Sequence, residues 1–171
     1  MPITPNGSCA TPLYLLRRMG SLSATFQAAI GGNTAALALT RIFLKEADGK
    51  EPRPCMVIST DGGAWQQVAG GSQNQLRPSG VLFVWLAMDL DIGLSPSDAM
   101  LEYANFHGGV GDDLAALSGQ DQTADSTVPE SHLAITRMHD IPPSEAPKEF
   151  WPAGKRFMWS AWIIQWGDGD A

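Results

Sequence analysis

The chain is poor in the residues that build disulfides and metal sites. Its 171 residues include only 2 cysteines and 3 histidines, and no C-x-x-C pair is formed by Cys9 and Cys55. This spacing predicts buried or free thiols in a reducing compartment rather than a disulfide or a metal site.

Basic residues and long apolar runs are scarce as well. The 11 Lys and Arg face 18 Asp and Glu, which gives a formal net charge of −7. Phosphate binding needs clustered cations, so this balance argues against a protein whose main task is to grip nucleic acid. No run approaches the roughly 20 apolar residues that cross a bilayer, and no basic segment leads into a signal-peptide core. We therefore expect a soluble protein that has no membrane segment and is made in a cytoplasm.

What is present is enough apolar sequence for one core, since 44% of the residues are hydrophobic. This length favours one domain. Pro2, Pro5, Gly7 and Pro12 predict an irregular arm over residues 1–12. We therefore expect an N-terminal arm and short helix over 1–20, a single α+β domain over 21–167 and an acidic tail over 168–171.

The longest apolar run, Ser79 to Asp91, predicts a central strand. Its alternate residues are apolar on both faces, so both faces need cover. A buried helix is the alternative, but the flanking Ser-Gly and Asp-x-Asp and the β-rich content favour a strand. One face carries Val81, Phe83, Trp85 and Ala87, and the other carries Leu82, Val84, Leu86 and Met88.

Helices are predicted on either side of this strand. Short ones start after the arm at Leu13, after a cap at Ser21 or Ser23, and after a cap at Asn33. The clearest one begins at Ser95, with Pro96 at its first position and Asp98 three residues after the cap. Its apolar stripe consists of Ala99, Tyr103, Phe106, Val110, Leu114 and Leu117.

Glycines give this long helix a soft middle. Gly108, Gly109 and Gly111 each disfavour helix by about 1 kcal/mol relative to Ala. Either packing offsets that cost or the helix is kinked there.

The remaining elements are mostly strands and connections. Alternation favours a strand from Thr40, with a continued helix as the alternative, and further strands over CMVIST, Ala64–Ala69, His132–Ile141 and Arg156–Trp166. Gly70–Pro78 is predicted as an exposed loop and 142–154 as a proline-rich connection, with the last two strands paired as a hairpin. The order predicts an α+β fold, a mostly antiparallel sheet with helices packed on it.

No residue set has the pattern of a catalytic or cofactor site. Asp61, Asp89 and Asp91 are the nearest approach to a metal-dependent nuclease cluster, but acids at strand ends more often form turns. His107, His132 and His139 lack zinc-ligand spacing, and neither Ser8 nor Ser23 lies in a nucleophile motif. We expect no enzyme activity, no cofactor and no metal.

Interface residues are the better candidates. Gln73, Asn74, Gln75 and Arg77 are polar and unpatterned, and are therefore available for recognition. Trp65 and Trp151 are expected in loops or at edges, where large aromatic side chains often anchor partners.

The layout resembles the tail terminator (tail completion) proteins of long-tailed bacteriophages and related prophages. The similarity spans roughly Leu15 to Trp166 and is carried by SATFQAAIGGNTAALALTRIFLKEAD, RPCMVIST, GGSQNQLRPSGVLFVWLAMD, DLAALSGQ, HLAITRMHDIPP and FMWSAWIIQWG. The proline-rich arm, the glycine-rich helix and the ending GDGDA depart from the family pattern.

The resemblance implies a structural virion protein with a tail-terminator-like sandwich fold. It implies a homohexameric ring that caps the tail tube, contacts the head–tail connector or neck protein, and lets DNA pass through its lumen without binding it. Alternatives are another neck or head-closure ring protein, a small metal-dependent enzyme using Asp61, Asp89, Asp91 or His107, and a host adaptor.

Overall fold

The structure is a computed structural model that describes residues 10–60, 66–70, 75–121 and 133–167. Helices and strands follow one another in the order helices, strands, one long helix, then a final pair of strands. The elements are α1 Ala10–Leu22, α2 Ala24–Ala29, α3 Ala35–Leu39, β1 Ile42–Leu44, β2 Cys55–Ser59, β3 Gln66–Gly70, β4 Gln75–Asp91, α4 Pro96–Leu117, β5 Ala134–Glu145, a 3₁₀ turn Lys148–Phe150 and β6 Lys155–Gly167.

One six-stranded sheet organises these elements, in the order β1-β2-β4-β6-β5 with β3 paired to β4 as well. Among the described strands, only the β1–β2 pair is parallel, and the other pairs are antiparallel. The predicted α+β class with a mostly antiparallel sheet is confirmed. The predicted central strand is also confirmed, because β4 pairs with β2 and β3 on one side and with β6 on the other.

The helices cover the first face of the sheet. There the side chains of Leu82, Val84 and Leu86 on β4 are fully buried against residues of α1, α2 and α4. From the N-terminal helices, Leu15, Leu16, Met19 and Phe26 enter the same cluster. Burial of this many aliphatic and aromatic side chains is the main driving force for the fold.

The second face has a separate and smaller cluster. It contains Trp85 and Ala87 of β4, Cys55 and Val57 of β2, and Phe157 and Ala161 of β6, and its described members include no residue of the four α-helices. Ala146 and Trp151, from the connection between β5 and β6, pack on it. The two faces of β4 are thus covered by different means.

Helix α4 begins as its sequence predicts. The Ser95 hydroxyl accepts a hydrogen bond from the Asp98 N–H at 3.1 Å, and Pro96 occupies the first turn. Of the predicted stripe, Ala99, Tyr103, Phe106, Val110 and Leu114 are buried and Leu117 is partly buried against the core. His107 is buried beside them, which the stripe did not include.

The glycines of α4 are explained by packing at two of three positions, and the helix runs through all of them. A Cβ at Gly109 would lie 2.9 Å from the Thr25 side chain, and one at Gly111 would lie 3.3 Å from the Trp162 ring. Helix α2 and strand β6 therefore approach α4 closely because these residues have no side chain. At Gly108 the space is open.

Several predicted boundaries are wrong. Gln75–Pro78 belong to β4 and pair with β3, although their polar composition predicted a loop. Strand β5 continues through Pro142 and Pro143 to Glu145, which is tolerated because β5 lies at an edge of the sheet.

The N-terminal helices also differ in detail from the sequence prediction. Helix α1 begins at Ala10, so residues 10–12 are helical and not part of an irregular arm. Thr34, not Asn33, caps α3, with its hydroxyl accepting from the Leu37 N–H. Among the described helices, none is both long and apolar enough to span a membrane.

Candidate functional site

The predicted interface residues are divided by the fold. Trp65, Gln73 and Asn74 lie outside the described residues. Gln75 and Arg77 lie in the part of β4 that pairs with β3, opposite Gly70 and Val68 respectively. Trp151 lies on the second face of the sheet, in the connection between β5 and β6, and is therefore separate in the chain from Gln75 and Arg77.

A projecting hairpin holds Gln75 and Arg77. Strand β6 pairs with β4 only from Ser79 onwards, whereas β3 pairs with β4 from Gln75 to Ser79. Since Ser79 is paired with both strands, β3 and β6 lie on opposite sides of β4. Gln75–Pro78 therefore extend beyond Gly167, the last described residue of β6, with β3 as their only described strand partner.

Trp151 has an internal role. Its indole Nε1 donates to the Ala146 carbonyl at 2.8 Å, and its ring packs in the cluster of the second face. The charged groups of Lys148 and Arg156 each lie 5.8 Å from a Trp151 ring centroid. These contacts tie the β5–β6 connection to the sheet and leave Trp151 half-buried.

The acids proposed for a metal site have other partners. Asp89 forms an ion pair with Arg53 at 2.7 Å, and Asp91 accepts the Gly93 N–H at 2.7 Å in the turn after β4. Asp61 lies outside the described residues. Within the described ranges, no group of three or more His, Cys, Asp or Glu side chains could hold a metal ion.

A buried polar network joins α4 to the sheet. The Tyr103 hydroxyl donates to the Leu86 carbonyl at 2.9 Å and lies 3.0 Å from Ser160 Oγ. Ser160 Oγ lies 2.7 Å from His107 Nδ1, and His107 Nε2 lies 2.6 Å from Asp140 Oδ1. Because the Asp140 carboxylate can only accept, Nε2 carries a hydrogen and donates it. The His107 ring also stacks on Trp162 at 4.3 Å.

This network has the residue types of a hydrolytic triad but the position of a structural element. Ser160 is fully buried and shares its hydroxyl with Tyr103, so a substrate has no path to it. Burial raises the pKa of the Tyr103 hydroxyl far above its ordinary value, which keeps it a neutral donor. The network holds α4 in register on β4 and β6 by satisfying polar groups in the core.

Cys55, which the sequence predicted as a buried or a free thiol, is unreactive in this fold. Cys55 is fully buried in the second-face cluster, and burial raises its pKa to about 12. A nucleophilic or metal-binding cysteine needs the thiolate, so this residue packs as a small apolar side chain. Cys9 lies outside the described residues.

One open cavity of about 210 Å³ lies beside β1 and β2. Its lining mixes apolar and charged side chains: Leu13, Leu44, Lys45, Glu46, Ile58, Ser59 and Thr60. Sites for small molecules usually enclose about 300 to 1,000 Å³, so this cavity is small for a substrate pocket.

Comparison with known proteins identifies no relative of this chain. No protein-family model matches the chain, and no curated protein matches it significantly.

Proposed function

We propose that this protein is the tail terminator of a long-tailed bacteriophage or prophage. In this role it forms a homohexameric ring that caps the tail tube, stops tube growth and joins the tube to the head–tail connector. It is then a structural component of the virion, made in the host cytoplasm. The proposal continues the resemblance carried by the layout of the sequence, to which the observed order of helices and strands adds support.

The observation that carries the proposal is the projecting β3–β4 hairpin. Strand β4 has 17 residues, whereas strands of globular proteins usually have 3 to 10. A two-stranded hairpin is only marginally stable in water by itself. An extension beyond the sheet is therefore expected where a neighbouring protein stabilises it, as between a ring and the tube beneath it.

The charge of the chain is compatible with a ring around DNA. A net charge of −7 repels phosphates, so a lumen lined by such subunits would pass DNA without holding it. The contacts of the ring with DNA would be repulsive and few.

Another neck or head-closure ring protein is the second candidate, because a projecting hairpin would serve either ring. The two roles differ in what fails when the protein is removed. Without a terminator the tube continues to grow, whereas without a head-closure protein tubes of normal length fail to join filled heads.

The test is electron microscopy of tails made by the encoding phage with this gene inactivated. Overlong tubes of irregular length are expected, and complementation with the wild-type gene should restore uniform length. Tubes of normal length would exclude the terminator role, and normal tubes beside unjoined filled heads would support the second candidate.

A further inference from the structure

The second face of the sheet has an open half next to the cluster around Trp85. In one row of the register Arg137 lies beside Gln165 and Val81, and in the next His139 lies beside Ile163 and Phe83. We call these six residues the open sheet face. Val81, Phe83 and Ile163 are half-buried, whereas Arg137, His139 and Gln165 are exposed. The patch is thus apolar on the β4 side and basic at the β5 edge.

Helix α4 has an outer stripe that its own sheet does not use. Leu101, Asn105, Gly108, Asp112 and Ala115 follow each other at spacings of three and four, and all are exposed. Leu101 is 62% exposed. The helix also contains Asp98 and Glu102 but no Lys or Arg, so the outer stripe has an acidic border at these two residues.

Gly108 lies in the middle of this outer stripe without a structural reason inside the chain. A glycine there costs about 1 kcal/mol relative to Ala. Gly109 and Gly111 gain close packing against Thr25 and Trp162 in return, but no atom lies within 4 Å of a Cβ built at Gly108. A side chain from another molecule would fit against the helix backbone at this point.

We propose that the outer stripe of one copy packs on the open sheet face of the next copy. This contact deepens the proposed function, because it rests on the ring-forming part of that role. A sheet with apolar residues on both faces is completed by helices on both sides, and the neighbour's α4 would supply the missing layer. Asp112 would then face the basic edge formed by Arg137, for which no described residue of its own chain provides an ion pair.

A second copy fits better than an unrelated partner because each surface has what the other lacks. Both surfaces exist on every subunit, and they are opposite in charge and unlike each other in shape. Such a contact is heterologous, and its repetition closes into a ring when the rotation between subunits divides a full turn. The pairing therefore predicts head-to-tail association and not an isologous dimer.

The experiment is sedimentation velocity of the isolated wild-type protein and four variants, one of them a control, over a wide concentration range. Arg137→Glu and Asp112→Arg should each weaken self-association by about tenfold or more, because each places like charges across the contact. The variant with both substitutions should regain self-association, since its two surfaces are again opposite in charge. Glu46→Arg, the same charge change as Asp112→Arg at an exposed site just after β1, the strand at the opposite edge of the sheet from β5, is the control. Circular dichroism and urea unfolding verify that every variant is folded.

Loss with each single variant and recovery with the double variant would support the contact. Equal self-association in all variants, failure of the double variant to recover, or a wild-type protein that stays monomeric at every concentration would refute it. These results do not depend on tails. Normal tube length in the absence of the protein would exclude the terminator role but would not affect the proposed contact. Overlong tubes together with unchanged self-association of the variants would support the terminator role and refute the contact.

Discussion

Substituting the three glycines of α4 by alanine tests how closely the helices approach each other. All three positions gain about 1 kcal/mol of helix propensity on this change. Gly108→Ala meets no other atom, so we expect the full gain and a rise in melting temperature of about 2 to 4 °C.

Gly109→Ala should behave in the opposite way. Its new methyl would lie 2.9 Å from both Cγ2 and Oγ1 of Thr25, and overpacking of this kind costs about 1 to 3 kcal/mol. Subtracting the propensity gain leaves a net loss between about 0 and 2 kcal/mol. Gly111→Ala should fall between the two, because its methyl would lie 3.3 Å from the Trp162 ring.

The assay is urea unfolding followed by circular dichroism, at a protein concentration low enough to keep the protein monomeric. A double-mutant cycle with Thr25→Ala isolates the clash, because the cost at Gly109 should disappear when the Thr25 side chain is removed. Equal gains at Gly108 and Gly109 would refute the close approach of α2 to α4. A loss at Gly108 would refute its exposed position.

Two further predictions concern the core and one carboxylate. Phe106→Ala and Trp85→Ala should each lower the free energy of unfolding by about 3 to 5 kcal/mol, because both side chains are buried, on opposite faces of the sheet. Leu101→Ala, on the exposed side of α4, is the control and should change the free energy of unfolding little. Normal urea midpoints for both core variants would show that the sheet is misplaced. Asp113 joins α4 to α2, and although burial alone would raise its pKa, hydrogen bonds from the Ser23 hydroxyl and the Thr25 N–H lower it below the ordinary value of 3.8. The ionised form therefore stabilises the fold above that value, and the stability is lost as pH falls through the lowered pKa. Asp113→Asn should cost about 1 kcal/mol at neutral pH and less in acid, with Asp112→Asn as the exposed control, and a difference between wild type and Asp113→Asn that did not change with pH would contradict this account.

The sequence was sufficient where the signal is local and periodic. Strand β4 and helix α4 could be predicted because apolar residues recur at the spacing of a strand and a helix, and because Ser95 and Pro96 mark where the helix begins. The resulting α+β class followed from the order of the elements.

The missed features depend on residues distant in sequence. His107 and Ser160 are 53 positions apart, and no local pattern indicates that a helix and a strand bring them within 2.7 Å. The N-terminal end of β4 was missed because Gly70–Pro78 is polar and rich in glycine as a whole, so only pairing with β3 reveals a strand. The open sheet face could not be predicted for the same reason, because its two rows combine residues of β4, β5 and β6, which are distant in sequence.

The length of β4 has a mechanical consequence. Hydrogen bonds in an antiparallel pair run across the strands, so a force along a strand loads them together in shear. A pull on the β3–β4 hairpin along β4 acts on thirteen paired positions with β6 and on five with β2. The hairpin is thus continuous with a strand that is hydrogen-bonded along most of its length, and tension applied at its tip is distributed over the whole sheet rather than concentrated at one turn.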